Sequence, residues 1–189
     1  QLVINLLKSG SDPDLPFSPI VASGPNSANP HAVPGERELK DGDFIVIDFG
    51  AISNGYISDI TRTFALGSID EKMKEIYETV KLANETARAI SSDHLISKNV
   101  DTAARNIIKT AGYGDFFTHR TGHGIGLEAH EQPYITSQST VKLTPGMTFT
   151  IEPGIYLPGK AGVRIEDNVQ VTESGLETLT SFDRNLRIL

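Results

Sequence analysis

Residues 44–66, FIVIDFGAISNGYISDITRTFAL, decide how this sequence folds. The first half is an apolar run typical of a buried strand, and the second half has the composition of another strand. Asn54-Gly55 between them is the strongest short signal for a hairpin with a two-residue turn. Such a turn pairs Ser53 with Tyr56 and thereby sets the register of every other pair along the hairpin.

This register brings two acidic residues together. Gly50 then lies opposite Asp59, so Asp48 and Asp59 project from one face as diagonal neighbours, with Cβ atoms roughly 7 Å apart. Two ionised carboxylates that close repel each other unless a cation lies between them. Because Gly50 has no side chain, we expect room for that cation. For Asp48 taken alone, a strand-end position facing solvent is the alternative.

A second acidic pair is Glu152 and Glu166. A three-residue loop at 158–160 places these two directly opposite each other, whereas a two-residue loop puts them on opposite faces, and Pro153 favours a bulge nearby. Arg164 shares a face with Glu166 in either register. A Glu–Arg network at the surface is the alternative interpretation.

Three of the five histidines fall within residues 119–130, and this stretch also contains glycines at 122, 124 and 126. Glycines allow tight turns that can aim His119, His123 and His130 inward. His31, in a loop rich in proline and asparagine, is a fourth candidate. We expect His94 at the surface.

The rest of the sequence predicts an α+β fold with a mainly antiparallel sheet. A helical pattern at 2–9 stops at Gly10 and lacks an N-cap, so we expect the end of a helix cut from a longer protein. Ser68-Ile69-Asp70-Glu71 matches a capping box for a helix reaching about Ser91, and a second helix covers 100–111 with Gly112 just beyond it. Further strands are predicted within 17–22 and at 116–119, 125–129, 147–156, 162–171 and 176–180.

Composition excludes several classes of protein. The chain has 189 residues, enough for one domain, and shows no internal boundary. Its 17 Lys and Arg against 24 Asp and Glu argue against nucleic-acid binding. No apolar run approaches the ~20 residues of a membrane helix. With no cysteine, disulfides and thiolate metal sites are excluded, and we expect a cytoplasmic location.

The candidate residues suit a metal centre. Four carboxylates with one neutral imidazole match the charge of two divalent cations, and this oxygen-rich set favours Mn²⁺, with Co²⁺, Fe²⁺ or Zn²⁺ as alternatives. Two such ions can hold a hydroxide at neutral pH, polarise a carbonyl and stabilise a tetrahedral oxyanion. The predicted chemistry is hydrolysis of an amide.

These motifs resemble those of the pita-bread metallopeptidases, the M24 group of methionine aminopeptidases, aminopeptidase P and prolidase. The resemblance rests on Asp48 with SDITRT at 58–63, TGHGIG at 121–126 with His130-Glu131, IEPG at 151–154 and RIED at 164–167. The occurrence of these motifs in the same order along the chain makes it specific. The stretches TRT, EPGIY and RIED are more similar to the Xaa-Pro branch than to the methionine branch.

The resemblance implies a role for each candidate. Five residues would bind the metals: Asp48, Asp59, His123, Glu152 and Glu166. Asp59 and Glu166 would bridge the two ions, Asp48 would bind one of them, and His123 with Glu152 the other. Glu152 would also act as general base, His130 and His119 would hydrogen-bond the substrate and the oxyanion, His31 would stand near the scissile carbonyl, and Arg164 would orient the carboxylates.

The implied activity is hydrolysis of the peptide bond preceding proline in Xaa-Pro dipeptides or peptides. The alternatives are a methionine aminopeptidase-type enzyme and a non-catalytic peptide-binding module on the same fold. The resemblance also implies a curved sheet with helices on its outer face. Residues 1–189 would form a single catalytic domain that lacks its first helix and any separate N-terminal domain. We expect an exposed apolar patch where that helix would pack, and a homodimer for the full-length protein.

Overall fold

The computed structural model describes residues 1–92 and 95–189, so the expectation for His94 lies outside the described residues. The helices are α1 (Leu2–Lys8), α2 (Glu71–Arg88) and α3 (Ser97–Thr110). The strands are β1 (Ile20–Ser23), β2 (Phe44–Ser53), β3 (Tyr56–Ala65), β4 (Gly122–Gly124), β5 (Glu131–Ile135), β6 (Thr148–Ile151), β7 (Gly154–Leu157), β8 (Ala161–Arg164), β9 (Asp167–Thr172) and β10 (Gly175–Thr178).

The strands form antiparallel sheets, as predicted. Their orders are β1-β2-β3, β10-β9-β6-β4-β5 and β7-β8. Each pair of neighbouring strands within these sheets is antiparallel. Helices α2 and α3 pack against each other and against these strands, and their apolar faces enclose the core.

The β2–β3 hairpin has the predicted register, with Ser53 opposite Tyr56 and Gly50 opposite Asp59. Asn54 and Gly55 have φ of 51° and 82°, as a type I′ turn requires. The expectation that Gly50 leaves room for a cation is wrong. A Cβ there would come within 2.9 Å of the Phe17 ring and closer still to Pro16 and the Ser58 carbonyl, so the missing side chain instead admits the neighbouring chain.

Both long helices differ from prediction at their N-termini. The α2 cap is Asp70, whose carboxylate accepts from the backbone N–H of Met73 at 2.8 Å, so a capping box beginning at Ser68 is wrong. Helix α3 begins at Ser97, three residues before the predicted start, and Gly112 follows its end with φ of 86°. The predicted apolar face of α2 is buried at Ile76, Tyr77, Val80, Ala83 and Ala87.

The second half departs from prediction where glycine and proline interrupt the apolar pattern. Residues 116–119 form no strand, and the strand expected at 125–129 is replaced by β4, just before it, and β5, just after it. The long strands predicted at 147–156 and 162–171 are each divided, into β6 and β7 and into β8 and β9. The divisions fall at 152–153 and 165–166, and so contain Glu152 and Glu166.

Helix α1 lies at the surface. None of its side chains is buried, and Ile4 and Leu7 are 49% and 41% exposed. Apolar side chains are therefore exposed in this region. That a further helix packs on them, and that the full-length protein is a homodimer, remain predictions. None of the described helices combines the length and hydrophobicity that crossing a bilayer requires.

Candidate metal centre and active site

One cleft of about 590 Å³ brings together every site residue predicted from the sequence. These residues come from loops, strands and strand breaks that are distant in sequence. Its lining includes His31, Asp48, Asp59, His119, His123, His130, Glu152, Arg164 and Glu166.

The two glutamates face the cleft because both strands are interrupted there. On either side of the break the register is the one that a three-residue loop predicts, with Ile151 opposite Asp167 and Gly154 opposite Arg164. At the break, the N–H of Glu152 donates to the Thr121 carbonyl at 2.8 Å, and that of Glu166 donates to the Thr61 carbonyl at 3.1 Å. Glu152 and Glu166 are therefore bound to two other segments rather than to each other.

His123 directs one ring nitrogen at the acids. Its Nδ1 lies 3.1 Å from the Gly124 carbonyl, which can only accept, so Nδ1 carries the proton and Nε2 keeps a free lone pair. That Nε2 lies 3.4 Å from Glu152 Oε1 and 3.9 Å from Asp59 Oδ2. Asp59, His123 and Glu166 each offer a ligand atom within 4.8 Å of the other two.

Burial sets the electrostatics of this cluster. Burial, followed by the charges of Asp48 and Glu152, raises the pKa of Asp59 well above its ordinary value. Burial and the charge of Asp59 do the same to the pKa of Glu166. Burial also raises the pKa of Glu152 to about 7 and lowers that of His123 to about 3. Ionisation of the carboxyl groups in this cluster is therefore unfavourable unless a positive charge lies beside them.

Two buried oxygens in the cluster lack partners. Asp48 Oδ1 and Asp59 Oδ1 accept no hydrogen bond from any residue that the structure describes. A buried acceptor without a partner costs about 1–3 kcal/mol. Oxygen donors with one imidazole nitrogen and no sulfur suit a divalent cation such as Mn²⁺. The residues present therefore fit a metal ion, which would supply the missing partner.

Arg164 and Thr61 each hold one carboxylate oxygen of the cluster in place. Arg164 Nη2 donates to Asp48 Oδ2 at 2.5 Å, and its Nε donates to Thr61 Oγ1 at 3.0 Å. Thr61 Oγ1 in turn donates to Glu166 Oε2 at 2.6 Å. One oxygen of each acid is thereby occupied, which orients the rest of the carboxylate. Thr61 is not among the predicted site residues, although strand alternation places it on the same face as Asp59.

His119 is bound within the protein at both ring nitrogens. Nδ1 donates to the Arg120 carbonyl at 2.7 Å, so Nε2 accepts from the Tyr156 hydroxyl at 2.8 Å. Burial lowers the pKa of His119 to about 4, so the ring is neutral at pH 7. Tyr156, also missed in the sequence, accepts from Arg164 Nη1 at 3.0 Å. Both ring nitrogens of His119 are therefore occupied within the protein, and a hydrogen bond from His119 to substrate stays a prediction.

His130 and His31 lie nearer to solvent. The His130 ring meets that of His123 edge to face, with centroids 4.2 Å apart. Burial, followed by the charge of Arg120, lowers the pKa of His130, so its neutral ring can donate one hydrogen bond into the cleft. His31 is an exposed residue on the cleft wall, where its backbone N–H donates to Asn29 Oδ1.

The cleft also contains Arg120, a cation that is not among the predicted site residues. The Arg120 guanidinium stacks over the Tyr134 ring, 4.6 Å from its centroid. No carboxylate in the described part of the chain lies within ion-pair distance of it. Apolar side chains, among them Phe17 and Ile20, form another part of the wall.

Comparison with known proteins places the chain in a family. Residues 3–173 match the family model of metallopeptidase family M24. The chain belongs to this family. The family assignment predicted from the motifs is therefore confirmed. Membership and the buried group of Asp59, His123 and Glu166 together support binding of a divalent metal.

Individual proteins similar to this chain are named as peptidases that act on Xaa-Pro or as dipeptidases. An Xaa-Pro dipeptidase from Pyrococcus furiosus is 49% identical over 170 residues, which make up 90% of this chain and 49% of that protein. The crystal structure of a dipeptidase from Pyrococcus horikoshii matches with a TM-score of 0.94 and 51% identity, over 100% of this chain and 52% of that one. An X-Pro aminopeptidase from Thermotoga maritima matches with a TM-score of 0.95 and 42% identity, over 100% and 53%.

These matches confirm the predicted α+β pita-bread fold. The chain spans about half the length of the curated relatives it matches.

Proposed function

We propose that this chain is the catalytic domain of a metal-dependent peptidase that hydrolyses the bond preceding proline in Xaa-Pro dipeptides or peptides. The observation that carries the proposal is the convergence of four carboxylates and His123 on one cleft, with unpartnered buried oxygens on Asp48 and Asp59. The relatives named Xaa-Pro dipeptidase and X-Pro aminopeptidase support the choice of substrate.

Five residues would hold two divalent ions, with Mn²⁺ favoured: Asp48, Asp59, His123, Glu152 and Glu166. Ions bound there would supply Lewis-acid polarisation of the scissile carbonyl and lower the pKa of water. Arg164 and Thr61 support the ligands, since Arg164 donates to Asp48 Oδ2 and Thr61 donates to Glu166 Oε2. Such supporting contacts orient ligands and tune a metal site.

Glu152 would move the proton. Its Oε1 lies 3.4 Å from His123 Nε2, among the atoms that would hold the ions and therefore beside the position of the attacking water. In hydrolysis Glu152 would take a proton from the attacking water and deliver it to the proline nitrogen as the C–N bond breaks. The products are then a free carboxylate and a secondary amine.

The remaining cleft residues would bind the substrate. The neutral imidazole of His130 can donate to a substrate carbonyl, and His31 stands on the same wall. Phe17 and Ile20 offer apolar surface to a pyrrolidine ring. The Arg120 guanidinium has no carboxylate partner in the described chain, and it would bind a carboxylate of the substrate. Tyr156 would hold Arg164, and His119 would hold Tyr156 from the cleft wall.

The test is hydrolysis of Xaa-Pro and Met-Ala peptides by the full-length protein with Mn²⁺, with and without a chelator. We expect the wild type to cleave Xaa-Pro peptides and the chelator to abolish this activity. The Asp59→Asn variant should not cleave them. Cleavage that survives the chelator would refute the metal-dependent mechanism. Preference for Met-Ala would favour a methionine aminopeptidase, and no cleavage of either would favour a peptide-binding module. Two metal ions per chain by elemental analysis are also expected.

A further inference from the structure

Arg62 is a buried cation on β3, and it lies on the face opposite to Asp59 and Thr61. Its side chain makes five hydrogen bonds, so the donor capacity of the guanidinium is fully used. Nη1 donates to the carbonyls of Thr61 at 2.9 Å and Glu166 at 2.6 Å. Four of the five acceptors are backbone carbonyls, which means that Arg62 mainly positions main chain.

The two carbonyls that accept from Arg62 Nη1 belong to Thr61 and Glu166, and these two residues are also hydrogen-bonded to each other. Thr61 Oγ1 donates to Glu166 Oε2 at 2.6 Å, and the Glu166 N–H donates to the Thr61 carbonyl at 3.1 Å. Arg62 therefore connects β3 to the break between β8 and β9 on the face of β3 that points away from the cleft. This contact lies next to Glu166. A shift of this backbone would move the Glu166 carboxylate.

Arg62 pairs with Asp167, the neighbour of Glu166, and Arg184 and Arg88 lie within ion-pair distance of the same carboxylate. Asp167 is fully buried, and it accepts from Arg62 Nη2 at 2.7 Å and from Arg184 at 2.7 and 2.9 Å. Arg184 belongs to residues 179–189, which we name the C-terminal strap. This strap also supplies the carbonyls of Phe182 and Asp183 to Arg62.

The strap is hydrogen-bonded to the end of β3, to the residues just after it and to α2. The Leu189 N–H donates to the Ala65 carbonyl at 2.8 Å, and the Gly67 N–H donates to the Leu189 carbonyl at 3.1 Å. The Tyr77 hydroxyl on α2 donates to the Arg184 carbonyl at 3.1 Å. These bonds hold the strap where its carbonyls and Arg184 can reach Arg62 and Asp167.

We propose that Arg62 is a positioning residue that sets the geometry of the metal centre through the backbone of Thr61 and Glu166, and that the C-terminal strap holds Arg62 in place. The metal part of this inference rests on the proposed function. Lysine cannot replace Arg62, because an ammonium has three donors and lacks the planar fork that serves five acceptors. A role limited to stabilising the fold is the competing explanation.

The experiment compares Arg62→Lys with Arg184→Gln and with a matched control, Arg37→Lys. Arg37 also forms a two-pronged ion pair, with Asp43 at 2.6 and 2.9 Å, but it does not line the cleft. Two quantities are measured on folded protein: the dissociation constant for Mn²⁺ by calorimetry, and hydrogen exchange of the Glu166 amide in the metal-free state. Kinetics with an Xaa-Pro dipeptide separate kcat from KM.

We expect Arg62→Lys to weaken Mn²⁺ binding by about 10–100-fold and to lower kcat more than it changes KM. Glu166 amide exchange should accelerate by about tenfold or more, because the bond to Thr61 opens more often. Arg184→Gln should act in the same direction with a smaller effect, and Arg37→Lys should match the wild type in both measurements.

The proposal would be overturned if the Arg62→Lys variant folds and is less stable but keeps the wild-type affinity for Mn²⁺ and the wild-type exchange rate of the Glu166 amide. If Arg62→Lys does not fold, Arg184→Gln decides, and wild-type exchange at Glu166 in that variant would refute the role of the strap and of Arg62. Failure of the proposed function has a different signature. The wild type would then bind no Mn²⁺, while the exchange measurement would still report whether Arg62 positions Glu166.

Discussion

Replacing Glu152 with glutamine tests the electrostatics of the cleft directly. The amide has the shape of the carboxyl group but cannot ionise. Burial raises the pKa of Glu152 from its ordinary 4.5 to about 7, which corresponds to about 3 kcal/mol of destabilisation once the group is ionised in both folded and unfolded protein. The metal-free Glu152→Gln protein should therefore be the more stable of the two at pH 8, by about this amount.

The sign follows from proton binding. Below pH 4.5 Glu152 is protonated in both states, and the wild type bears no such cost. As pH rises from 4.5 through about 7, the folded wild type retains a proton that the unfolded chain has lost, so its stability falls. His119 and His123 have lowered pKa values and titrate in the opposite sense, but they do so in both proteins and cancel in the difference.

The assay is urea unfolding followed by circular dichroism, with chelator present, at pH 5 and pH 8. The stability difference between variant and wild type should be small at pH 5 and about 3 kcal/mol at pH 8. Glu75→Gln, at an exposed position of α2, is the control and should be neutral at both pH values. A difference that does not change with pH, or a variant that is less stable at pH 8, would refute the reasoning.

Added Mn²⁺ is expected to stabilise the wild type more than it stabilises the variant. The wild type should gain stability with increasing Mn²⁺, because ligand that binds only the folded state stabilises it by mass action. Glu152→Gln should gain less, since one proposed carboxylate ligand is missing. Equal gains in the two proteins would contradict a ligand role for Glu152.

Three further predictions concern single contacts. Tyr156→Phe should lower stability by about 1–3 kcal/mol in urea unfolding, because Arg164 and His119 both lose a buried partner; unchanged stability would contradict this. Arg120→Ala should raise KM by about tenfold for Xaa-Pro dipeptides with a free carboxylate but not for their amides, and equal effects on both would exclude carboxylate binding. Asp70→Ala should lower the free energy of unfolding by about 1 kcal/mol because α2 loses its cap, whereas Ser68→Ala should be nearly neutral. A larger effect of Ser68→Ala would instead support a capping box beginning at Ser68.

The β2–β3 hairpin was predictable because its determinants are local. Asn54-Gly55 specifies the turn, the turn specifies the register, and the register places Asp48 diagonal to Asp59. The register around Glu152 and Glu166 was predictable only in part, since a two-residue loop remained an alternative to the three-residue register that is found on both sides of the break. The break itself was not, because it arises from hydrogen bonds to Thr121 and Thr61, which are distant in sequence.

The glycine-rich region was less predictable. The strand expected at 125–129 is wrong, because the chain turns after β4 and the Gly124 backbone packs against residues 131–132 so closely that a Cβ would not fit. Strand β5 contains a proline and has little apolar alternation, so its pairing with β4 depends on tertiary contacts rather than on its own composition.

The sequence by itself determined the family, the hairpin and the set of residues that converge on the cleft, because motifs, turn chemistry and strand alternation are properties of short stretches. Only the tertiary structure decided what holds those residues. Arg62 meets Asp167, Thr61 meets Glu166 and Arg164 meets Asp48 across more than a hundred residues of chain. Such bonds depend on how separate strands pack, and no local pattern specifies that packing.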